Sequence, residues 1–209
     1  HADDDFSKNK SIAELTDWNI YSPVWAPVSL EDQWLKLQDK DPFDYAKVER
    51  KIPASKELKV SFDLKAGQNN KGTLHIEFLD ENGIACSRIE LTDDGIFRLK
   101  GGSRFANMMK YEAGKIYHVE AVLSTVDRNI QVYVDGKRVG LRMFYAPVAA
   151  VERIVFRTGV PRTFPTVDTP ADQTYDLPNA GAQDPLAEYG IANVKTSSTD
   201  KDASSAFLK

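Results

Sequence analysis

The sequence contains one cysteine, Cys86, in 209 residues, so no internal disulfide can form. It also lacks a basic excess: 27 lysines and arginines face 31 aspartates and glutamates, for a net charge of −4. A nucleic-acid-binding domain usually gathers surplus positive charge on one face, so nucleic acid is excluded as an expected partner. No apolar run approaches the roughly 20 residues that a spanning helix needs, and no membrane span is expected. A sustained apolar stripe of period 3.6 is missing as well. Helix should therefore be scarce, with at most one short turn near Phe105 to Tyr111. Internal repeats are absent.

What is present is alternation. The hydrophobic content of 42% is enough for a folded core. Tyr117, Val119, Ala121 and Leu123 alternate with His118, Glu120 and Val122. After a polar turn, Ile130, Val132 and Val134 alternate with Gln131, Tyr133 and Asp135. This period of two predicts half-buried strands, and Asp135-Gly136 supplies a two-residue hairpin turn. Leu58, Val60, Phe62 and Leu64 form the cleanest strand pattern, followed by Leu74, Ile76 and Phe78. Asn82-Gly83 and Asp94-Gly95 mark further turns. Successive strands joined by hairpin chemistry must be antiparallel, because parallel neighbours need long crossovers. The expected fold class is all-β, a two-sheet antiparallel β-sandwich.

The chain divides into three parts on this reading. Residues 1–16 are a polar lead-in, 17–194 the sandwich, and 195–209 a disordered tail or linker. Within the sandwich, Pro23 and Pro27 restrict the Trp18 to Leu37 region to an edge strand and covering loops. Arg50 interrupts the apolar side of a strand expected between Asp44 and Ile52. A proline-punctuated excursion runs from Val160 to Pro185, and Leu186 to Val194 reads as the closing strand. Cys86 lies in a strand-like run, as a small buried side chain would.

Two His-x-Glu pairs, His75/Glu77 and His118/Glu120, sit on the polar sides of their strands. On adjacent strands they could converge as a metal site or an acid–base cluster; otherwise they are ordinary sheet-face polarity. Arg88, Glu90, Gln131 and Tyr133 are expected to extend that same polar side. The Glu77 to Glu81 carboxylates run into a turn and do not present the pair that glycoside hydrolysis requires. No motif supplies a catalytic residue, a metal site or an organic cofactor. Acidic loop clusters, Asp39/Asp41/Asp44 and Asp168/Asp172/Asp176, offer oxygen ligands for which Ca²⁺ is the conceivable ion. Aromatic residues grip sugars by stacking on pyranose C–H faces while polar neighbours bond the hydroxyls. The glycan-binding candidates are Trp25, Trp34, Tyr145, Tyr175, His118, Tyr133, Arg88 and Gln131.

Five segments carry a family resemblance: Asp39 to Pro53, Phe78 to Gly83, Val132 to Gly136, Val155 to Gly159, and Glu188 to Val194. Together they resemble a concanavalin A-like or laminin-G-like jelly-roll module of secreted bacterial polysaccharide-degrading proteins. The resemblance implies a non-catalytic accessory module in carbohydrate processing, secreted, periplasmic or on the cell surface. Its partner would be a weakly bound glycan or an attached catalytic domain. The alternative it implies is a polysaccharide lyase or glycoside hydrolase, with His118, Tyr133, Arg88 and Gln131 on a concave sheet face. Against the lyase, the chain lacks the Q-[IV]-H strand and the Y-F-K-x-G-x-Y segment of alginate-lyase-like enzymes.

Overall fold

The computed structural model describes residues 1–159 and 183–200. Fifteen strands follow one another: β1 (Asp3–Asp4), β2 (Trp18–Tyr21), β3 (Val28–Glu31), β4 (Trp34–Asp39), β5 (Lys47–Ser55), β6 (Glu57–Ala66), β7 (Leu74–Leu79), β8 (Ala85–Leu91), β9 (Ile96–Gly101), β10 (Arg104–Lys110), β11 (Ile116–Ser124), β12 (Asn129–Val134), β13 (Lys137–Met143), β14 (Val151–Thr158) and β15 (Ala187–Ser198). They form two antiparallel sheets. The first has the order β13-β12-β11-β6-β15-β4-β3 with β1 added beside β15; the second is β10-β9-β8-β7-β14-β5-β2. The molecule is thus the expected two-sheet antiparallel β-sandwich.

Each layer is glued by every second side chain. Val60, Phe62 and Leu64 of β6 and Leu74, Ile76 and Phe78 of β7 belong to one core between the sheets, in which all six are fully buried. Burying a side chain of this size stabilises by roughly 1.5–3 kcal/mol. Phe62 meets Phe156 edge-on at 5.0 Å, and Phe97 packs against both Tyr111 and Tyr117 at 5.5 Å. Cys86 is buried in this core, as expected, and burial pushes its thiol up to about 12. The hairpin at Asp135-Gly136 closes with two residues, at φ 50° and 82°. Two consecutive left-handed residues define the type I′ turn, whose twist matches that of the strands it joins.

Three expectations need correction. The region Phe105 to Tyr111 is not a helical turn: Arg104–Lys110 pairs with β9 as the outer strand of its sheet. Edge pairing outweighs the modest helical preference of Met108 and Met109. Among the described residues the helical content is one 3-10 turn, Ile12–Glu14. The lead-in is not loose either, because β1 pairs with Lys195 and Val194, and Phe6 and Leu15 are buried in the core. The closing strand correspondingly runs on through Ser198, four residues into the expected tail. The placements of Pro23 and Pro27 fit, since β2 and β3 both lie at sheet edges.

Candidate functional site

In a strand whose alternate residues enter the core, the residues between them must face outward. On β7 the outward residues are His75 and Glu77; on β8 they are Arg88 and Glu90. On β9, Arg98 and Lys100 follow, opposite Glu90 and Arg88. Register then draws rows across the sheet. One row runs Phe105, Lys100, Arg88, Glu77 and Val155; the next runs Asn107, Arg98, Glu90, His75 and Arg157. Tyr145, in the segment after β13, closes over this surface because its backbone N–H donates to the Cys86 carbonyl at 3.0 Å. These rows line a groove of about 1070 Å³.

The groove is rich in charge. Arg98 donates to Glu90 at 2.6 Å, and Arg88 reaches Glu77 at 3.4 Å. Lys100 Nζ lies 4.4 Å from the Tyr145 ring centroid, and the Arg98 guanidinium sits 3.9 Å from that of Phe105. His75 is only 2% exposed. Burial, followed by the positive charges of Arg88 and Arg157, pushes its imidazole down to about 3, so the ring is neutral. Its Nδ1 stands 3.5 Å from Glu90 Oε2. Burial likewise pushes the Tyr145 hydroxyl up to about 12.

Nε of Arg88 and of Arg98 lack a hydrogen-bond partner among the described residues. The His75 ring has only the backbone of Gly159 and the Tyr145 hydroxyl only the Arg88 side chain, neither in good hydrogen-bond geometry. A buried polar group without a partner costs roughly 1–3 kcal/mol, so the wall of this groove is less well satisfied than the rest of the sheet.

The outer face of the other sheet presents the opposite condition. His118 Nδ1 lies 2.9 Å from Asp63 Oδ1, and Asn193 donates to the other oxygen of that carboxylate at 2.8 Å. Lys59 pairs with Glu120 at 3.4 Å. Tyr133 donates its hydroxyl to Gln131 at 3.1 Å, and Arg138 approaches the same amide oxygen at 3.4 Å. These are mutually satisfied surface groups, of the kind that contribute about 0–1 kcal/mol per ion pair.

The convergence that adjacent strands would have allowed the two His-x-Glu pairs does not occur. His75/Glu77 lies on β7 and His118/Glu120 on β11, in different sheets with the core between them. The polar side proposed for Arg88, Gln131 and Tyr133 is split in the same way: Arg88 belongs to the groove, while Gln131, Tyr133 and His118 share the far face. The lyase constellation of His118, Tyr133, Arg88 and Gln131 is not assembled, because alternation assigns a side of a strand but not the sheet that owns it.

Of the aromatic candidates, Tyr145 lies in the groove. Trp34 packs on β15, where a Cβ at Gly190 would come within 3.0 Å of its ring, and Lys65 Nζ sits 4.7 Å from its centroid. Trp25 is half-buried in the segment between β2 and β3, and its carbonyl accepts from Lys40 at 3.0 Å. Tyr175 and the Asp168/Asp172/Asp176 cluster lie outside the described residues. In the other acidic cluster, Asp39 accepts from the Asp41 N–H, and Asp41 accepts from those of Phe43 and Asp44, each at 2.9 Å. These carboxylates shape a turn. Among the described residues no three His, Cys, Asp or Glu side chains gather as a metal ion would require.

Sequence reasoning missed Arg98, Lys100, Phe105 and Arg157. The alternation of Arg98 and Lys100 about Leu99 was a usable signal, whereas Phe105 was hidden by its assignment to a turn.

A sandwich with a polar, partly unsatisfied groove on one sheet and aromatic rings at its wall has the architecture of carbohydrate-binding modules. The family described as "Sialidase-like, CBM domain" matches residues 18–173, and the chain belongs to it. A solved structure named "Sialidase" is 88% identical over 98% of this chain, with a TM-score of 0.91. The chain spans only 19% of that protein's length. At far lower identity, the carbohydrate-binding module CBM66 from Bacillus subtilis is 11% identical with a TM-score of 0.52, covering 88% of this chain and 96% of its own. The alginate lyase AlgAT5 of polysaccharide lyase family 7 is 12% identical with a TM-score of 0.55, covering 88% of this chain and 95% of its own. These two likenesses define the fold alone. No curated protein matches the chain.

Proposed function

We propose that this chain is an accessory glycan-binding module whose binding surface is the groove on the outer face of β7, β8 and β9. The observation that carries the reading is the contrast between the two sheet faces. One carries mutually paired surface groups; the other gathers Arg88, Arg98, Lys100, Phe105 and Tyr145 around an open groove. Sugars supply what such a surface lacks, because hydroxyls accept and donate while C–H faces stack on rings. Tyr145 and Phe105 offer those rings, and charged neighbours hold both in place.

The module acts beside a catalytic domain, in keeping with its near-identity to one fifth of a protein named sialidase. Tethering raises the local concentration of substrate at the linked enzyme even when the module itself binds weakly. That role places the protein outside the cell or on its surface, where polymeric glycans are found. No helix among the described residues is long and apolar enough to cross a membrane.

A glycan array probed with the wild-type chain and with Tyr145→Ala tests the reading. Binding by the wild type that drops at least about tenfold in the variant supports it. Binding unchanged by Tyr145→Ala but lost on Trp34→Ala would transfer the site to the other sheet.

A further inference from the structure

We propose that Arg88 and Lys100, beside the Tyr145 ring, form a subsite for the carboxylate of an acidic sugar. This rests on the groove reading above and specifies its ligand class.

The starting point is a broken rule of sheet pairing. Arg88 and Lys100 stand directly opposite one another on β8 and β9. Like charges in that position destabilise a sheet, by some tenths of a kcal/mol to about 1 kcal/mol. Local contradictions of this kind mark functional places more often than structural ones.

Glu77 offsets the conflict only in part. Glu77 is the one carboxylate that pairs with Arg88, at 3.4 Å, the long end of hydrogen bonding. Glu90 is engaged by Arg98 at 2.6 Å. Lys100 has no ion-pair partner among the described residues, and its ammonium instead lies 4.4 Å from the Tyr145 centroid. The Arg88 guanidinium carbon stands 5.9 Å from the same centroid. Burial and then the charge of Arg88 push the Lys100 pKa down, with Glu77 opposing them.

A carboxylate placed between the two cations relieves their repulsion and forms charge-assisted hydrogen bonds with both. Arg88 keeps part of its side chain exposed to the groove, and its planar guanidinium is the cation best suited to a carboxylate's two oxygens. The neutral His75 adds no competing charge. Tyr145 offers its ring to the sugar that carries the acid. Acidic side chains do not cancel the subsite: Asp93 and Asp94, which also line the groove, are exposed in the turn between β8 and β9.

Calorimetric titration of the full chain with 3′-sialyllactose, trigalacturonate, lactose and a sulfated trisaccharide, each at low and high salt, tests the proposal. The two carboxylated sugars are expected to bind at least about tenfold tighter than lactose, with affinity falling as salt rises. Lys100→Gln should remove most of that advantage without lowering Tm, and Lys100→Arg should restore it. Equal affinity for lactose and 3′-sialyllactose overturns the acidic subsite but leaves the groove reading intact. A sulfated sugar binding as tightly as the carboxylated ones overturns the carboxylate assignment. If none of the probes binds, the subsite is refuted, while neutral glycans on the array still decide the groove itself.

Discussion

Asp4 holds Arg50 through a 2.7 Å bond from the arginine Nε to its own Oδ2. The same oxygen accepts the indole N–H of Trp18 at 2.9 Å. This explains two anomalies together. Arg50 interrupts the apolar side of β5 because its charge points into the sandwich end, and the polar lead-in is ordered because it carries the counter-charge. The Phe6 ring then packs 5.9 Å from Trp18, so the opening residues seal that end of the core.

Removing the counter-charge should be costly. Arg50 is 90% buried at its side chain and would keep only the exposed Asp17, at 3.7 Å, as a counter-charge, so the loss destabilises by about 2–4 kcal/mol. Asp4→Ala is therefore expected to lower the urea midpoint clearly, while Asp3→Ala, at an exposed neighbour, changes stability by no more than about 0.5 kcal/mol. Equal effects from the two variants would show that Asp4 plays no part in holding Arg50.

His75 predicts a pH dependence with a definite sign. Its folded pKa of about 3 lies below the ordinary 6.5. Below about pH 6.5 the unfolded chain takes up a proton that the folded chain refuses, so stability is full above that pH and falls as pH drops toward about 3. The slope contributed by this group approaches about 1.4 kcal/mol per pH unit inside the window. Urea unfolding across that range should show a shallower slope for His75→Gln than for the wild type. Parallel curves would mean that His75 accepts its proton while folded.

Metal removal gives a third expectation. Asp39, Asp41 and Asp44 already use carboxylate oxygens as acceptors of backbone N–H groups, and burial pushes the Asp39 pKa up. A chelator should leave Tm unchanged. A Tm that falls with chelator and returns with added Ca²⁺ would establish calcium at this turn.

The sandwich was legible because its strands obey a period of two and its tightest hairpin carries Asp135-Gly136. The groove was only half legible. Arg88 and Tyr145 are both candidates in the sequence, but alternation alone puts Arg88 on one polar side with Gln131 and Tyr133, which the topology places on the other sheet. Which sheet a strand joins depends on long-range pairing, such as β7 with β14, and no local pattern encodes it. Likewise the importance of Lys100 follows from its position opposite Arg88, a fact of register. The lead-in was misjudged because its one buried aromatic, Phe6, gives no periodic signal in a polar stretch.

Mapping backbone amide shifts by two-dimensional NMR, with a glycan that the array identifies, tests the central claim most directly. The account predicts perturbations concentrated on residues 74–79, 85–91 and 96–101 and at Tyr145, with His118, Gln131 and Tyr133 unmoved. Shifts centred instead on the His118 face would contradict it.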